Sequence, residues 1–300
     1  MSHLMDKIRF TSCEYLSEHM VSQISDLEKS CATYDGLALK LECDYKLAVA
    51  RESKVTSENK NEFFAWFGER LVGYIGISSF SGSTMEVMGM VEPNFRKNGI
   101  YTILFESVKT EWVKRSIMPM LLLTDRKSFA GQAFVKKVGA IHEHSEYEMI
   151  LDTTKHDLPF NTKPVWLRKA MNEDAEQVAY LSALCFGNRL ELSQIIMPEE
   201  EAKRGLTIYI AEMAEGVIGK VNLQKTGDIG AIYGLGIHPE FRGKGLGRAL
   251  LLKAVETLKS DGFEKIMLQV DAINDTALGL YLSCGFEITT TMDYFELKRD

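Results

Sequence analysis

This 300-residue chain has no long apolar run, no recognisable secretory leader and no C-x-x-C pair. No apolar run approaches the roughly 20 residues that a membrane-spanning helix needs, and the first residues lack the layout of a secretory leader. The five cysteines are scattered, and none forms a C-x-x-C pair, so neither a disulfide framework nor a zinc site is indicated. We therefore expect a cytoplasmic protein with no membrane partner, no metal and buried, inert thiols.

The sequence also has fewer basic than acidic residues. The 35 lysines and arginines stand against 42 acidic residues, which gives a net charge of −7, and no basic block interrupts the sequence. A nucleic-acid partner is therefore not expected. The hydrophobic fraction of 45% and the charged fraction of 26% are typical of globular proteins, and the length suffices for two domains with cores of their own.

What the sequence does contain is an internal repeat. The stretch PNFRKNGIYTILF from Pro93 resembles PEFRGKGLGRALL from Pro239. An offset of 146 residues relates five landmark pairs, namely Pro93 and Pro239, Arg96 and Arg242, Gly99 and Gly245, Gly73 and Gly219, and Gly139 and Gly285. One offset that fits so many landmarks predicts two copies of one fold.

A polar segment with two prolines, TTKHDLPFNTKP, separates the copies and suits an exposed linker. The sequence therefore predicts a first domain over residues 5–152, a linker over 153–164 and a second domain over 165–300. Periodicity predicts the order β-α-α-β-β-β-α-β-α-β in the second copy, with an α/β fold. The first copy repeats this order with a more elaborate helical start between about Ser12 and Leu41.

The loop RGKGLG opens a predicted helix whose apolar face carries Leu251, Val255 and Leu258. The first N–H groups of a helix have no partner within it, and the helix dipole places partial positive charge there. Glycines let a bulky anion approach those N–H groups, so the loop predicts a diphosphate site. A merely flexible helix start would explain one glycine but not three with flanking cations.

Two other phosphate motifs do not fit this loop. A P-loop needs a glycine where His238 stands, and the dinucleotide motif G-x-G-x-x-G needs one where Arg248 stands.

The second copy resembles the GNAT family of N-acetyltransferases over about residues 165–297. The family's acetyl-CoA signature is found as Arg242-Gly243-Lys244-Gly245-Leu246-Gly247, and its second signature as Asn274, Tyr281 and Gly285-Phe286. The resemblance implies an α/β (α+β) chain of two tandem GNAT folds, each a mixed, splayed β-sheet flanked by helices. It also implies direct acetyl transfer from acetyl-CoA to a primary amine of a small molecule or peptide.

The resemblance assigns roles to particular residues. The pantetheine amides of acetyl-CoA would pair with Leu235, Gly236 and Ile237, where a free N–H could stabilise an oxyanion. The pyrophosphate would lie against Arg242, Gly243, Lys244, Gly245, Leu246, Gly247 and Arg248. Asn274 would contact pantetheine or the acceptor, or alternatively cap a helix. Tyr281 would protonate the leaving thiolate, or alternatively serve as a core aromatic.

The residue that takes the acceptor's proton is left open by the sequence. Four side chains are candidates, Glu212, Asp228, Tyr233 and Asp271, and a chain of waters is a further alternative. Cys284 and His238 are expected to be structural rather than catalytic.

The first copy departs from the family pattern at three matching positions. Tyr101 replaces Gly247, Ser128 replaces Asn274 and Val135 replaces Tyr281. We expect this copy to bind acetyl-CoA poorly or not at all and to brace the second copy.

Two further functions stay open. The protein is alternatively an acyl-CoA sensor without turnover, or an acetyltransferase like mycothiol synthase that acts on an amino-sugar or amino-acid conjugate. The acidic charge favours cationic amines as acceptors, and either a monomer or a homodimer is compatible with the tandem.

Overall fold

The computed structural model describes residues 2–53, 58–79, 84–115, 119–155, 163–187, 195–214 and 216–299. Residues 156–162 of the expected linker lie outside the described residues. The chain divides into two compact units. Unit 1 comprises Met1–Ser145 with Thr290–Asp300, and unit 2 comprises Glu146–Thr289.

The helices and strands follow the predicted order in most places. The strands are β1 Ile8–Cys13, β2 Glu62–Phe67, β3 Arg70–Ser78, β4 Met85–Val91, β5 Met120–Asp125, β6 Ile141–Asp152, β7 Trp166–Lys169, β8 Leu206–Met213, β9 Gly216–Thr226, β10 Ile229–Ile237, β11 Lys265–Asp271 and β12 Glu287–Leu297. The helices are α1 Ser2–Met5, α2 Glu18–Asp35, α3 Cys43–Glu52, α4 Ile100–Lys114, α5 Phe129–Lys137, α6 Ala175–Phe186, α7 Pro198–Lys203, α8 Leu246–Ser260 and α9 Asp275–Leu282.

In the first copy a strand precedes the long helices, as the repeated order predicts. A strand, β1, pairs with β2 before the helix α2 begins. The helix α2 ends at Gly36, which adopts a φ of +66°, a conformation that favours glycine. A second helix, α3, then follows, and its position was not predicted from the sequence.

Unit 1 has its strands in the order β1-β2-β3-β4-β5-β12. The pairing of β4 with β5 is parallel and spans only Met85–Val87 on β4. The other pairs of this sheet are antiparallel. The predicted apolar stripe of α4 is buried at Leu104, Val108 and Trp112.

Unit 2 has the strand order β6-β11-β10-β9-β8-β7, with β10 and β11 parallel. Helix α8 buries Leu251, Val255 and Leu258, as its periodicity predicts. Helix α6 contributes Val178 to a smaller buried cluster with Ile208 of β8. Adjacent residues of a strand point to opposite faces, so the sheet of unit 2 has helices packed on both faces. Mixed strand pairing and flanking helices in both units confirm the predicted fold class.

The final strands of the two copies are exchanged between the units. Strand β12 pairs with β5 over Met292–Leu297, and β6 pairs with β11 over Glu146–Asp152. The 146-residue offset relates β6 to β12, so each unit completes its sheet with the strand that the other copy encodes. The repeat boundaries expected from the sequence remain a proposal, and the compact units differ from them at these two strands.

The strand β10 separates from its neighbour partway along unit 2. Its parallel pairing with β11 ends at Ile232. The ladder with β9 shifts register between Tyr233 and Gly236, and Gly234 adopts a φ of +52°. Such a shift is a β-bulge, which leaves an extra residue unpaired and bends the strand. This bulge and the separation of β10 from β11 define the edge on which the candidate site lies.

Among the described residues, no helix is both long and apolar enough to cross a bilayer. The described residues also contain no group of three or more His, Cys, Asp or Glu side chains that could hold a metal ion.

Candidate cofactor and active site

The end of β10 provides the backbone of the site. Gly236 pairs with Lys220 and Ile237 pairs with Gly219, whereas Leu235 lies inside the bulge and outside this register. A Cβ on Gly219 would lie 2.2 Å from the carbonyl oxygen of Gly236, and one on Gly236 would lie 2.7 Å from the Sγ of Cys185. Both positions therefore require glycine, because no side chain fits there.

The glycine loop leads from β10 into α8. Gly243 and Gly245 adopt φ values of +72° and +75°, and no atom lies within 4 Å of a Cβ added at either position. Gly245 is the N-cap of α8, and the next residue, Leu246, is buried in the core. The space beside both glycines, where the loop leads to the first N–H groups of α8, is therefore open. This is a geometry in which a helix N-terminus can bind an anion.

The three cations of the loop have different contacts. The Nε of Arg242 donates to the carbonyl of Ile237 at 3.0 Å, and within the described part of the chain no carboxylate contacts its guanidinium. The Nζ of Lys244 donates to the carbonyl of Glu240 at 3.0 Å. Arg248 instead donates to the Ser283 side chain at 2.6 Å, which ties α8 to the end of α9. Arg242 and Lys244 thus lie at the loop, and Arg248 braces it.

Helix α9 lies beside the start of α8. A Cβ on Gly247 would lie 3.6 Å from the Cδ2 of Leu280 and 4.0 Å from the Cγ1 of Ile237. Ile237, Leu246 and Tyr281 belong to one buried cluster. The structure therefore brings together the three segments that the sequence singled out.

The two side chains expected to act in catalysis both lie on α9. The Asn274 carboxamide oxygen accepts from the Ala277 N–H at 3.1 Å, so this residue caps the helix. Its NH2 group is not used by the cap and can donate elsewhere. Tyr281 is 7% exposed, and burial raises the pKa of its phenol. The phenol therefore remains protonated at neutral pH, as a proton donor must.

The four candidates for the proton acceptor do not meet at one place. Glu212 is bound to Arg168 at 2.9 Å, and Asp228 lies in the turn at the other end of β10. Asp271 accepts from the Ile273 N–H at 3.0 Å. Tyr233, which pairs with Asn222, is the candidate that lies next to the bulge.

Sequence reasoning missed Lys220, which lies beside the bulge. It is 4% exposed, and its Nζ contacts the Oδ1 of Asn222 at 3.2 Å. Burial lowers the pKa of this lysine to about 8. The available signal was a lysine with the apolar neighbours Ile218 and Val221, but its burial depends on residues distant in sequence.

In unit 1, the residues that correspond to Arg242 and Gly247 make different contacts. Arg96, like Arg242, donates through Nε to the last carbonyl of its strand, but its two terminal nitrogens bind the Asp35 carboxylate at 2.7 and 2.6 Å. The ring of Tyr101 packs edge to face against Phe134. The guanidinium is therefore neutralised, and an aromatic pair occupies the place of Gly247 and Leu280.

The bulge is also absent from the corresponding strands of unit 1. The ladder of β3 and β4 runs without a register shift from Gly73 paired with Val91 to Ser78 paired with Glu86. Ser128 caps α5 by accepting from the Gly131 N–H. Unit 1 thus retains the frame of the site without its bulged strand.

Four thiols have raised pKa values, three in unit 1 and one in unit 2. Burial is the main cause at Cys13 and Cys31, each with a pKa of about 11, and at Cys43, with a pKa of about 12. Burial also raises the pKa of Cys284. These thiols are protonated at neutral pH and are poor nucleophiles.

Comparison with known proteins agrees with this geometry. Residues 168–286 match the model of the acetyltransferase (GNAT) family. A mycothiol acetyltransferase from Renibacterium salmoninarum is 26% identical over 69% of this chain and 64% of its own length, so the match spans less than two thirds of that relative.

Two solved structures share the fold over nearly the whole chain. One is a GCN5-related N-acetyltransferase from Sphaerobacter thermophilus, with a TM-score of 0.75, 18% identity and coverage of 97% of this chain and 96% of its own. The other is a tandem GNAT protein from the clavulanic acid biosynthesis pathway, with a TM-score of 0.76, 18% identity and coverage of 98% and 100%. Both likenesses concern the fold, and they agree with the tandem arrangement predicted from the repeat.

Proposed function

We propose that this protein is an acetyl-CoA-dependent N-acetyltransferase whose one working site lies in unit 2. The observation that carries the proposal is the meeting of the bulged end of β10, the open glycine loop and α9. Such an arrangement offers backbone donors, an anion-binding helix N-terminus and a buried phenol within one unit. Unit 1 has a neutralised arginine and an aromatic pair in the same places, so it is proposed to bind no cofactor.

The residues present fit the chemical groups of acetyl-CoA. The open space beside Gly243 and Gly245 would admit a pyrophosphate to the first N–H groups of α8. Arg242 and Lys244 would add positive charge, and Arg248 would hold the loop in place through Ser283. Backbone groups of Leu235, Gly236 and Ile237 would pair with the pantetheine amides along the edge where β10 leaves β11.

When bound, acetyl-CoA supplies an acetyl thioester. A free N–H in the bulge around Leu235 would donate to the thioester oxygen as negative charge develops on it. Tyr281 would donate its phenolic proton to the sulfur that leaves as the acceptor amine attacks. Asn274 would use its NH2 group to orient pantetheine or the acceptor.

The acceptor is proposed to be a primary amine of a small molecule or peptide, with cationic amines favoured by the net charge of −7. The similarity to a mycothiol acetyltransferase supports a more specific candidate, an amine on an amino-sugar or amino-acid conjugate. We propose that the protein acts in the cytoplasm, as a monomer or a homodimer.

Two measurements test the proposal. Calorimetric titration with acetyl-CoA should give about one site per chain, since unit 1 is proposed not to bind. Release of free CoA should then be followed with a panel of polyamines, aminoglycosides, amino-acid derivatives and amino-sugar conjugates. Tight binding without turnover of any amine would favour a sensor, and two sites per chain would contradict the account of unit 1.

A further inference from the structure

Lys220 lies at the bulge of β10, on the strand next to it. It pairs across the ladder with Gly236, and its Nζ lies 3.4 Å from the place of a Cβ on Gly234. Gly234 and Gly236 have no side chains that would screen the amine from the bulged backbone. The Nζ is therefore held close to the part of β10 that is proposed to receive the thioester.

The groups around Lys220 are almost all uncharged. Ile210 pairs with it from β8, and its own strand offers the carboxamide of Asn222. Helix α6 contributes the Phe186 ring, whose centroid lies 5.9 Å from Nζ.

Two titratable groups face the same region. They are Cys185 of α6, whose Sγ lies against Gly236, and Tyr233 of β10, which pairs with Asn222. Within the described ranges no carboxylate forms an ion pair with Lys220, although buried lysines are almost always paired.

Unit 1 also has a buried lysine in this region, but there a carboxylate neutralises it. Tyr74 stands 146 residues before Lys220, and it bonds to the buried pair of Lys46 and Glu62. The residue of unit 2 that corresponds to Glu62 is Ile208. Unit 2 therefore lacks the carboxylate that neutralises the buried lysine of unit 1.

A buried amine without a carboxylate partner is stabilised in its neutral form. The lowered pKa of about 8 agrees with this environment. A neutral amine has a lone pair, and a proton acceptor works best when its pKa lies near the operating pH. An ordinary surface lysine, with a pKa of about 10.4, would be protonated at that pH.

We propose that Lys220 is the general base of unit 2, accepting the proton that the acceptor's ammonium group must lose before its nitrogen attacks acetyl-CoA. This role rests on the proposed acetyltransferase function. The N–H bond of the acceptor breaks and an N–H bond forms at Nζ, directly or through one water. The acceptor nitrogen then bonds to the acetyl carbon, the carbon–sulfur bond breaks, and Tyr281 protonates the sulfur. The attacking nitrogen loses its second proton as the amide forms, and this proton restores the Tyr281 phenol through water. The Lys220 ammonium returns its proton to solvent.

The test compares Lys220→Arg and Lys220→Met with the wild-type protein in CoA release and in acetyl-CoA titration. Arginine keeps a cation and stays protonated, so it separates proton acceptance from a fixed charge. Lys225→Arg is the matched control, because Lys225 lies on the same strand and pairs with Asp261 at 2.6 Å. Both Lys220 variants should lose at least roughly 100-fold in kcat/KM while acetyl-CoA affinity is kept.

The pH dependence gives a second readout. The wild-type kcat/KM should rise with pH and include a midpoint near the Lys220 pKa of about 8, which the Lys220→Met variant should lack. NMR titration of 13C-labelled lysine side chains should show one signal with that midpoint, absent from Lys220→Met.

Turnover kept by Lys220→Arg, or an NMR midpoint near about 10, would overturn this role of Lys220 alone. Absence of turnover in the wild-type protein with every amine tested would instead overturn the proposed function, and the role of Lys220 with it.

Discussion

The rings of Tyr101 and Phe134 meet edge to face in unit 1, with their centroids 4.6 Å apart and their planes at 76°. The same two places in unit 2 are held by Gly247 and Leu280, where the glycine leaves the start of α8 clear. One residue pair therefore differs between the starts of α4 and α8. The difference can be tested by moving the tyrosine.

Gly247→Tyr should abolish the binding of acetyl-CoA. The ring would occupy the space beside the first turn of α8, as Tyr101 does beside α4, and we expect affinity to fall by at least about 100-fold. Gly247→Ala is the control, because its Cβ would make an ordinary contact with Leu280 at 3.6 Å. Calorimetric titration measures both, and unchanged melting temperatures would show that folding is intact. Full affinity in the tyrosine variant would contradict the proposed location of the pyrophosphate.

Tyr281→Phe should lower kcat by roughly 100-fold and leave acetyl-CoA affinity unchanged, because the phenol is proposed to act on the leaving sulfur. Burial raises the pKa of Tyr281, so its ionisation should add no fall in activity below pH about 10. Stopped-flow and steady-state assays of CoA release provide the measurement. The matched control is Tyr34→Phe, which alters an exposed tyrosine of unit 1. If Tyr281→Phe is as active as Tyr34→Phe, the phenol is not the proton donor and Tyr281 serves only as a buried aromatic residue.

Leu151→Ala should destabilise unit 2, although Leu151 precedes the linker. Its side chain is fully buried in the core that contains α8, and such truncations cost roughly 2–5 kcal/mol. Hydrogen exchange should accelerate in β11 and α8 in this variant. The control Leu122→Ala, in β5, should accelerate exchange in the elements of unit 1. Faster exchange confined to unit 1 in the Leu151 variant would contradict the strand exchange.

Lys220→Met should increase the free energy of unfolding at pH 7. The pKa of Lys220 is about 8 in the folded chain and about 10.4 when unfolded, so between these values the unfolded chain binds more protons. Wild-type stability therefore rises across this pH window, and the penalty is fully present below it. We expect a gain of roughly 3 kcal/mol at pH 7 that narrows toward pH 10.

Urea unfolding at several pH values measures this difference. Lys225→Met is the control, since it removes a surface ion pair worth at most about 1 kcal/mol. If the Lys220→Met variant is less stable than wild type at pH 7, the ammonium group of Lys220 is stabilised by a partner in the folded chain, and the prediction is wrong.

Much of the fold was predictable because its signals are local. The offset between Arg96 and Arg242 identified the repeat, and the alternation of the strands and the stripe of α8 gave the element order. The glycine loop located the helix start, since positive φ values such as those of Gly243 and Gly245 favour glycine. These features depend on residues that are neighbours in sequence.

The unpredicted features depend on residues that are distant in sequence. The bulge at Gly234 arises from a register shift against β9, and any glycine in a strand could equally mark a close approach. The isolation of Lys220 follows from Ile208 standing where unit 1 has Glu62, which only the packed sheet reveals. The exchange of β6 and β12 was hidden because equivalent strands of a repeat fit either sheet equally well.

That exchange makes each copy a contributor to the other's sheet. Each sheet closes with a strand encoded by the other copy, so deleting either copy from the gene would also remove the closing strand of the remaining unit. The remaining copy would then have to close its sheet with its own last strand or leave a sheet edge exposed. A first copy that binds no cofactor would therefore still supply unit 2 with part of its sheet.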